Sequence, residues 1–180
     1  MSKLFYVIGP SGAGKDTLIN YARVAINGAE KVIFAHRYIT RPANIGNENH
    51  IYLSLDEFKE RIGKNLFALY WTSHDQYYGI GVEINYWLEK GFNVIVNGSR
   101  EYLPTARQIY PSLVTILIDA RPEIITERLT KRGREDAKEI EKRINRTNEI
   151  STDLSTCLNI FNNTTIEIAG NQLIELIISF

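Results

Sequence analysis

KLFYVIGPSGAGKDTLIN, residues 3 to 20, is the stretch on which the reading of the fold turns. Its apolar run from Leu4 to Ile8 predicts a short buried strand, and the residues from Lys15 onward predict a helix. Between them Gly9, Pro10, Ser11, Gly12, Ala13, Gly14 and Lys15 fit the spacing G-x-x-x-x-G-K of a phosphate-binding loop. Glycines let the backbone turn tightly and aim its N–H groups at an anion. The helix behind the loop adds the positive end of its dipole. Lys15 adds a mobile point charge for the outer phosphates of a nucleotide. A glycine-rich strand-to-helix turn alone would explain the glycines but not the lysine.

The residue after the lysine departs from the motif. Ser or Thr is usual there, as a magnesium ligand; here it is Asp16, with Thr17 behind it. A carboxylate is a hard oxygen ligand that suits Mg2+, but it also places negative charge beside phosphates. Asp16 can hold the metal directly, hold it through water, or act on another group.

Composition narrows the classes. Lys plus Arg and Asp plus Glu both number 21, so the net charge is zero. That argues against bulk nucleic-acid or membrane-surface binding. A single cysteine, Cys157, cannot form an internal disulfide, which fits a reducing compartment. The N-terminal apolar run is too short for a signal peptide, and no run is long enough to span a bilayer. The expectation is a soluble cytoplasmic protein acting on small molecules, with a homodimer as one possible assembly.

Strand-like runs alternate with helical patterns along all 180 residues. This predicts an α/β fold with a mainly parallel sheet flanked by helices, in a single domain. Strands are expected at Lys31 to Ala35, Leu66 to Trp71, Phe92 to Val96, Leu113 to Ile118 and Leu158 to Phe161. Helices are expected from Lys15 to Ala25, from a cap at Asp56 to Ile62, from Gly81 to Lys90 and from Glu101 to Tyr110. Two more are expected from Pro122 past Leu129 and from Asn171 to Ile178. The polar stretch from His36 to Leu53 reads as turns.

Three further groups carry chemistry. Arg37 and Arg41 lie four residues apart, with Thr40 between them and His50 nearby. An arginine fork matches a phosphate, and a kinase needs a second anion clamp for its acceptor. The same arginines could simply be solvated. Tyr77, Tyr78 and Gly79 could pack in the core or offer hydroxyls to a ligand. Residues 121 to 149 hold nine basic and seven acidic residues, a balance unlike a nucleic-acid tail. Arg128 and Arg132 share a helix face, Gly133 breaks that helix, and a second charged segment follows. This suits a lid at about residues 131 to 150 that closes arginines over phosphates, or a salt-bridged surface hairpin.

GPSGAGK, the Thr40-Arg41 turn, YYG at 77 to 79 and R-L-x-x-R-G at 128 to 133 together resemble the guanylate kinase family, across nearly the whole chain. GPSGAGKD, AHRYITR, ENHIYLS and the stretch from Tyr77 to Arg100 resemble, more closely, its ribose 1,5-bisphosphate phosphokinase branch, which also carries an aspartate at the place of Asp16. Guanylate kinases typically have a second arginine where this chain has Asn44 and a tyrosine near His50. They carry acidic residues where it has Asn97, Gly98 and Ser99. Those groups help hold GMP, so their loss implies an acceptor that keeps a phosphate but not a guanine. The resemblance implies a kinase core with an acceptor region at about residues 36 to 80, ATP as co-substrate and Mg2+. It implies acceptor contacts from Arg37, Thr40, Arg41, His50, Tyr78, Asn97 and Ser99, and Lys15, Arg128, Arg132 and Arg143 around the transferring group.

Overall fold

The computed structural model describes residues 2–26, 28, 31–42, 48–73, 75–132 and 153–180. Asn44, His74, Arg143 and nearly all of the expected lid at 131–150 lie outside the described residues, as does the side chain of Arg132.

The first strand, β1 (Leu4–Ile8), is buried along its whole length, as its uninterrupted apolar sequence requires. It feeds α1 (Lys15–Ile26) through the glycine loop. Then come β2 (Val32–Phe34), β3 (Tyr38–Ile39), β4 (Ile51–Tyr52) and α2 (Leu55–Gly63). A hairpin of β5 (Phe67–Ser73) and β6 (Gln76–Gly81) follows, then α3 (Glu83–Glu89), β7 (Asn93–Asn97) and α4 (Leu103–Ile109). The described chain closes with β8 (Val114–Asp119), α5 (Pro122–Arg132), β9 (Leu158–Phe161) and α6 (Ile166–Ile178).

Five strands form a parallel sheet in the order β2-β7-β1-β8-β9. The connections leave β1 first toward one edge and later toward the other. The carboxyl ends beside β1 are therefore the place where a doubly wound sheet opens a binding crevice. The glycine loop, Asn97, Asp119 and Asn162 all lie at those ends.

Side-chain alternation along β1 serves two cores. Phe5 and Val7 face Leu18, Ala22 and Ile26 of α1 and Leu173 and Ile177 of α6. Leu4, Tyr6 and Ile8 face the opposite layer, with Ile84, Leu103 and Ala106. That layer reaches a second, mixed sheet in the order β4-β3-β6-β5, through Ile39, Leu69, Trp71 and Ile80.

Three expectations need correction. The stretch 36–53 is not only turns: β3 and β4 pair in parallel, and β3 pairs antiparallel to β6, a strand the sequence reading did not assign. The cap of α2 is Ser54, not Asp56; its hydroxyl accepts from the Glu57 N–H and the Glu57 carboxylate accepts from the Ser54 N–H. The last helix starts at Ile166, five residues before the expected Asn171.

Candidate active site

The loop between β1 and α1 is built from backbone that only glycine tolerates. Gly9 has φ +152° and Gly14 has φ +92°. A Cβ on Gly9 would meet the Ile118 carbonyl oxygen at 2.0 Å, and one on Gly14 would meet the Asn162 amide nitrogen at 2.4 Å. Lys15 curls over this loop, its Nζ donating to the carbonyls of Gly9 (2.8 Å) and Pro10 (2.9 Å). Burial lowers its pKa to about 8, partly opposed by the neighbouring Asp16 carboxylate.

The outside of the loop is braced by the far end of the chain. Asn162, buried just beyond β9, donates from Nδ2 to the Ala13 carbonyl at 2.8 Å. Arg128 on α5 donates to that same carbonyl at 3.3 Å and to the Asn162 carbonyl at 3.0 Å. The Arg128 guanidinium thus holds the loop's backbone here. Thr17 is exposed at the start of α1.

Beside the loop, Asp16 accepts a hydrogen bond at Oδ1 from the Asn97 amide. Arg37 Nη2 stands 3.8 Å from the same oxygen. Asn97 is buried at the end of β7, and its own Oδ1 has no hydrogen-bond partner. This unpaired carbonyl oxygen and the Asp16 carboxylate are both hard donors. With phosphate oxygens from a nucleotide they fit Mg2+, which binds few protein ligands and completes its shell with phosphates and water. Among the described residues no cluster of three His, Cys, Asp or Glu side chains could hold a metal unaided.

The arginine pair is organised by a residue to which the sequence reading gave no role. Glu48 takes Arg37 Nε on one carboxylate oxygen and Arg41 Nη2, at 3.0 Å, on the other. Burial works to raise the Glu48 carboxyl, but Arg37, aided by Arg41, overrides it and holds the pKa below the usual value. Arg37 also lies 5.1 Å from the centroid of the Tyr78 ring, which in turn stacks on Trp71. Buried His50 points its two ring nitrogens at the carbonyls of Glu48 (3.0 Å) and Arg41 (2.9 Å). The Thr40 hydroxyl donates to Gln76 and accepts from the Tyr77 N–H, both at 3.0 Å, tying the end of β3 to β6.

Of the residues picked from sequence, the structure brings together the loop, Asp16, Arg37, Arg41, Tyr78 and Asn97. Thr40 and His50 bond to the protein around the arginines. The Ser99 N–H is turned toward the buried Tyr6 hydroxyl, which it meets at 3.0 Å. Glu48 and Asn162 were missed. Glu48 was within a quoted motif, and Asn162 follows a strand that had been read correctly, at the sheet end where sites collect.

A parallel sheet with this loop beyond its first strand defines a P-loop nucleotide-binding protein, and the paired arginines across the crevice give it the layout of a kinase. The sequence model of the guanylate kinase family matches residues 1–179. The chain belongs to the guanylate kinase family, whose members use ATP as co-substrate. A crystal structure of guanylate kinase from Anaplasma phagocytophilum superposes with a TM-score of 0.72 at 15% identity, over 99% of this chain and 85% of that one. At that identity the likeness concerns the fold.

Two curated relatives are much closer in sequence, and both are named ribose 1,5-bisphosphate phosphokinase PhnN. That of Thiobacillus denitrificans is 50% identical over 97% of this chain and 92% of its own length. That of Psychromonas ingrahamii is 48% identical over 97% of this chain and 89% of its own.

Proposed function

We propose that this chain transfers the γ-phosphoryl group of ATP to the 1-phosphate of ribose 1,5-bisphosphate, giving 5-phosphoribosyl 1-diphosphate and ADP in phosphonate breakdown. The observation that carries this reading is the 50% identity, over nearly the full length of both chains, to a relative named for this substrate. The site supports it. The expected guanine-binding carboxylates are replaced at the end of β7 by the neutral residues Asn97 and Ser99, which removes the clamp for a guanine.

The chemistry asks little of the protein beyond alignment and charge. An oxygen of the acceptor phosphate attacks the γ-phosphorus, and the bond from that phosphorus to the ADP oxygen breaks. The attacking group has a second pKa of about 6 and is ionised at neutral pH, so no general base is needed. Loop N–H groups and Lys15 hold the ATP phosphates. Arg37 and Arg41 hold the acceptor phosphate, and Arg37 sets it beside Asp16. Asp16, with Asn97, would hold Mg2+, which would neutralise charge on the β- and γ-phosphates. Arg132 and Arg143 would cover the transferring group, with Arg128 fixing the loop beneath it.

The test is ADP release with ATP and Mg2+, comparing ribose 1,5-bisphosphate with GMP and identifying the product by phosphorus NMR. Turnover of the sugar bisphosphate to the 1-diphosphate is expected. Turnover of GMP in its place would make the chain a divergent guanylate kinase and overturn the reading.

A further inference from the structure

The crevice beside the loop runs further than the transferring phosphate requires. It is a narrow cleft open to solvent, with about 30 Å3 of clear volume, so a ligand larger than water must widen it. One wall is a single face of α1, carrying Asp16, Ile19, Asn20 and Arg23 at helical spacing. Arg37, Glu48 and Asn49 stand on the other wall. The crevice therefore has a direction. Asp16, next to Lys15 and 3.8 Å from Arg37, marks the transfer end. Arg23 lies two helical turns away, roughly 10 Å along the axis.

The charges at the two ends differ. Both carboxylates that line the crevice are engaged: Asp16 with the Asn97 amide, and Glu48 with Arg37 and Arg41. Arg23 is half-buried, with its guanidinium 5.6 Å from the Phe34 ring centroid. No carboxylate of the described residues pairs with it. Burial lowers its pKa, and its charge in turn helps to lower that of His36, which is bonded to Asn49 at 3.0 Å. A partly desolvated guanidinium with no anion is an unfavourable arrangement for the protein alone. An anionic ligand reverses that.

We propose that Arg23 binds the second phosphate of the acceptor, the one that is not phosphorylated, and so selects a bisphosphate over a monophosphate. This rests on the acceptor reading above. Ribose 1,5-bisphosphate separates its two phosphates by the furanose ring and one exocyclic carbon. With its 1-phosphate at Arg37, beside Asp16, its 5-phosphate extends along the α1 face to Arg23. Asn20 adds an amide on the same face, within the same crevice.

The experiment compares wild type with Arg23→Gln. It measures the KM for ribose 1,5-bisphosphate and the inhibition constant of ribose 1-phosphate, which lacks the second phosphate. The substitution should raise the KM about 10- to 100-fold, the scale of a lost charge-assisted contact. It should leave the inhibition constant of ribose 1-phosphate and the KM for ATP unchanged, and it should not lower the melting temperature. Arg23→Lys should recover part of the loss. A KM that does not move, or a KM and an inhibition constant that rise together, overturns the proposal while the phosphokinase reading stands. A wild-type protein inert toward ribose 1,5-bisphosphate removes that reading itself, and this assignment with it.

Discussion

The glycine loop and the arginine pair face the same crevice but are made differently. The loop is backbone: a tight turn between a fully buried strand and a helix, with Lys15 laid over two of its carbonyls. The arginine pair is side chain: two guanidinium groups on one carboxylate, with the Tyr78 ring behind one of them and His50 bonded to the backbone of the other. A backbone site survives the loss of the side chain that completes it. A site of interlocked charges does not, because each partner neutralises another that is buried. Substitutions should therefore separate function from stability in the loop and couple them in the arginine pair.

The largest effect tests the first half of that contrast. Lys15→Ala should lower kcat about 100- to 1,000-fold, the scale of removing one preorganised charge from a transferring group. Its melting temperature should not fall, since burial already disfavours the ammonium. An unfolded Lys15→Ala variant would break the contrast, and near-normal turnover in a folded one would remove the assigned role.

Glu48→Gln tests the other half. It should raise the KM for the acceptor about tenfold and also destabilise the fold by about 3 kcal/mol, because it leaves the Arg37 charge buried without its counter-ion. Urea unfolding and steady-state kinetics on the same preparation report both. The Glu48 carboxyl has a depressed pKa in the folded state, so its contribution is complete above the ordinary carboxylate value. It is lost as pH falls through the depressed one. The variant should therefore lack part of the wild type's acid destabilisation. Lost affinity at unchanged stability would mean that the arginines hold their places without Glu48.

The smallest effect sharpens the loop's side. With a pKa of about 8 in the folded protein and an ordinary value of 10.5, Lys15 loses its proton within reach of assay conditions. Its charge weighs on stability below about pH 8, and that burden lifts as pH rises through the interval between the two values. ATP binding needs the charge, so it should take up a proton near pH 8 and weaken toward tenfold per pH unit above it. Calorimetry in two buffers of different ionisation enthalpy measures the uptake. Binding independent of pH up to 10 would show that the ammonium keeps its proton in the loop.

The contrast also explains what could be read from sequence. β1 came out at Leu4–Ile8, because a buried strand writes itself as a run of apolar residues; β9, at Leu158–Phe161, buries only Ile160 and left a weaker signal. The loop was legible because its physics is local: glycines, a strand before and a helix after. The Ser54–Glu57 capping box was equally local and was passed over for Asp56. β6 was not seen as a strand, since its sequence QYYGIG has two glycines, and its place depends on pairing with β5 and β3. The start of α6 was set after Gly170, although that glycine lies inside the helix. A Cβ there would meet the Tyr21 ring at 2.3 Å, so α1 and α6 approach closely only with glycine at that point. The arginines could be singled out as candidates for a phosphate from their spacing. That Glu48 would share itself between them depends on how β3 and β4 are paired.

The brace from Asn162 to Ala13 joins residues 149 positions apart. Its consequence belongs to synthesis on the ribosome. The loop emerges among the first residues made, but β1 finds its sheet neighbours only when β7 and β8 have followed, and the loop's outer support comes after β9. At roughly 5 to 20 residues per second, several seconds pass in which the glycine-rich segment exists without the contacts that shape it. The nucleotide pocket, first in sequence, is among the last parts of the molecule to be finished, so a nascent chain truncated before Asn162 would carry the motif without its full support.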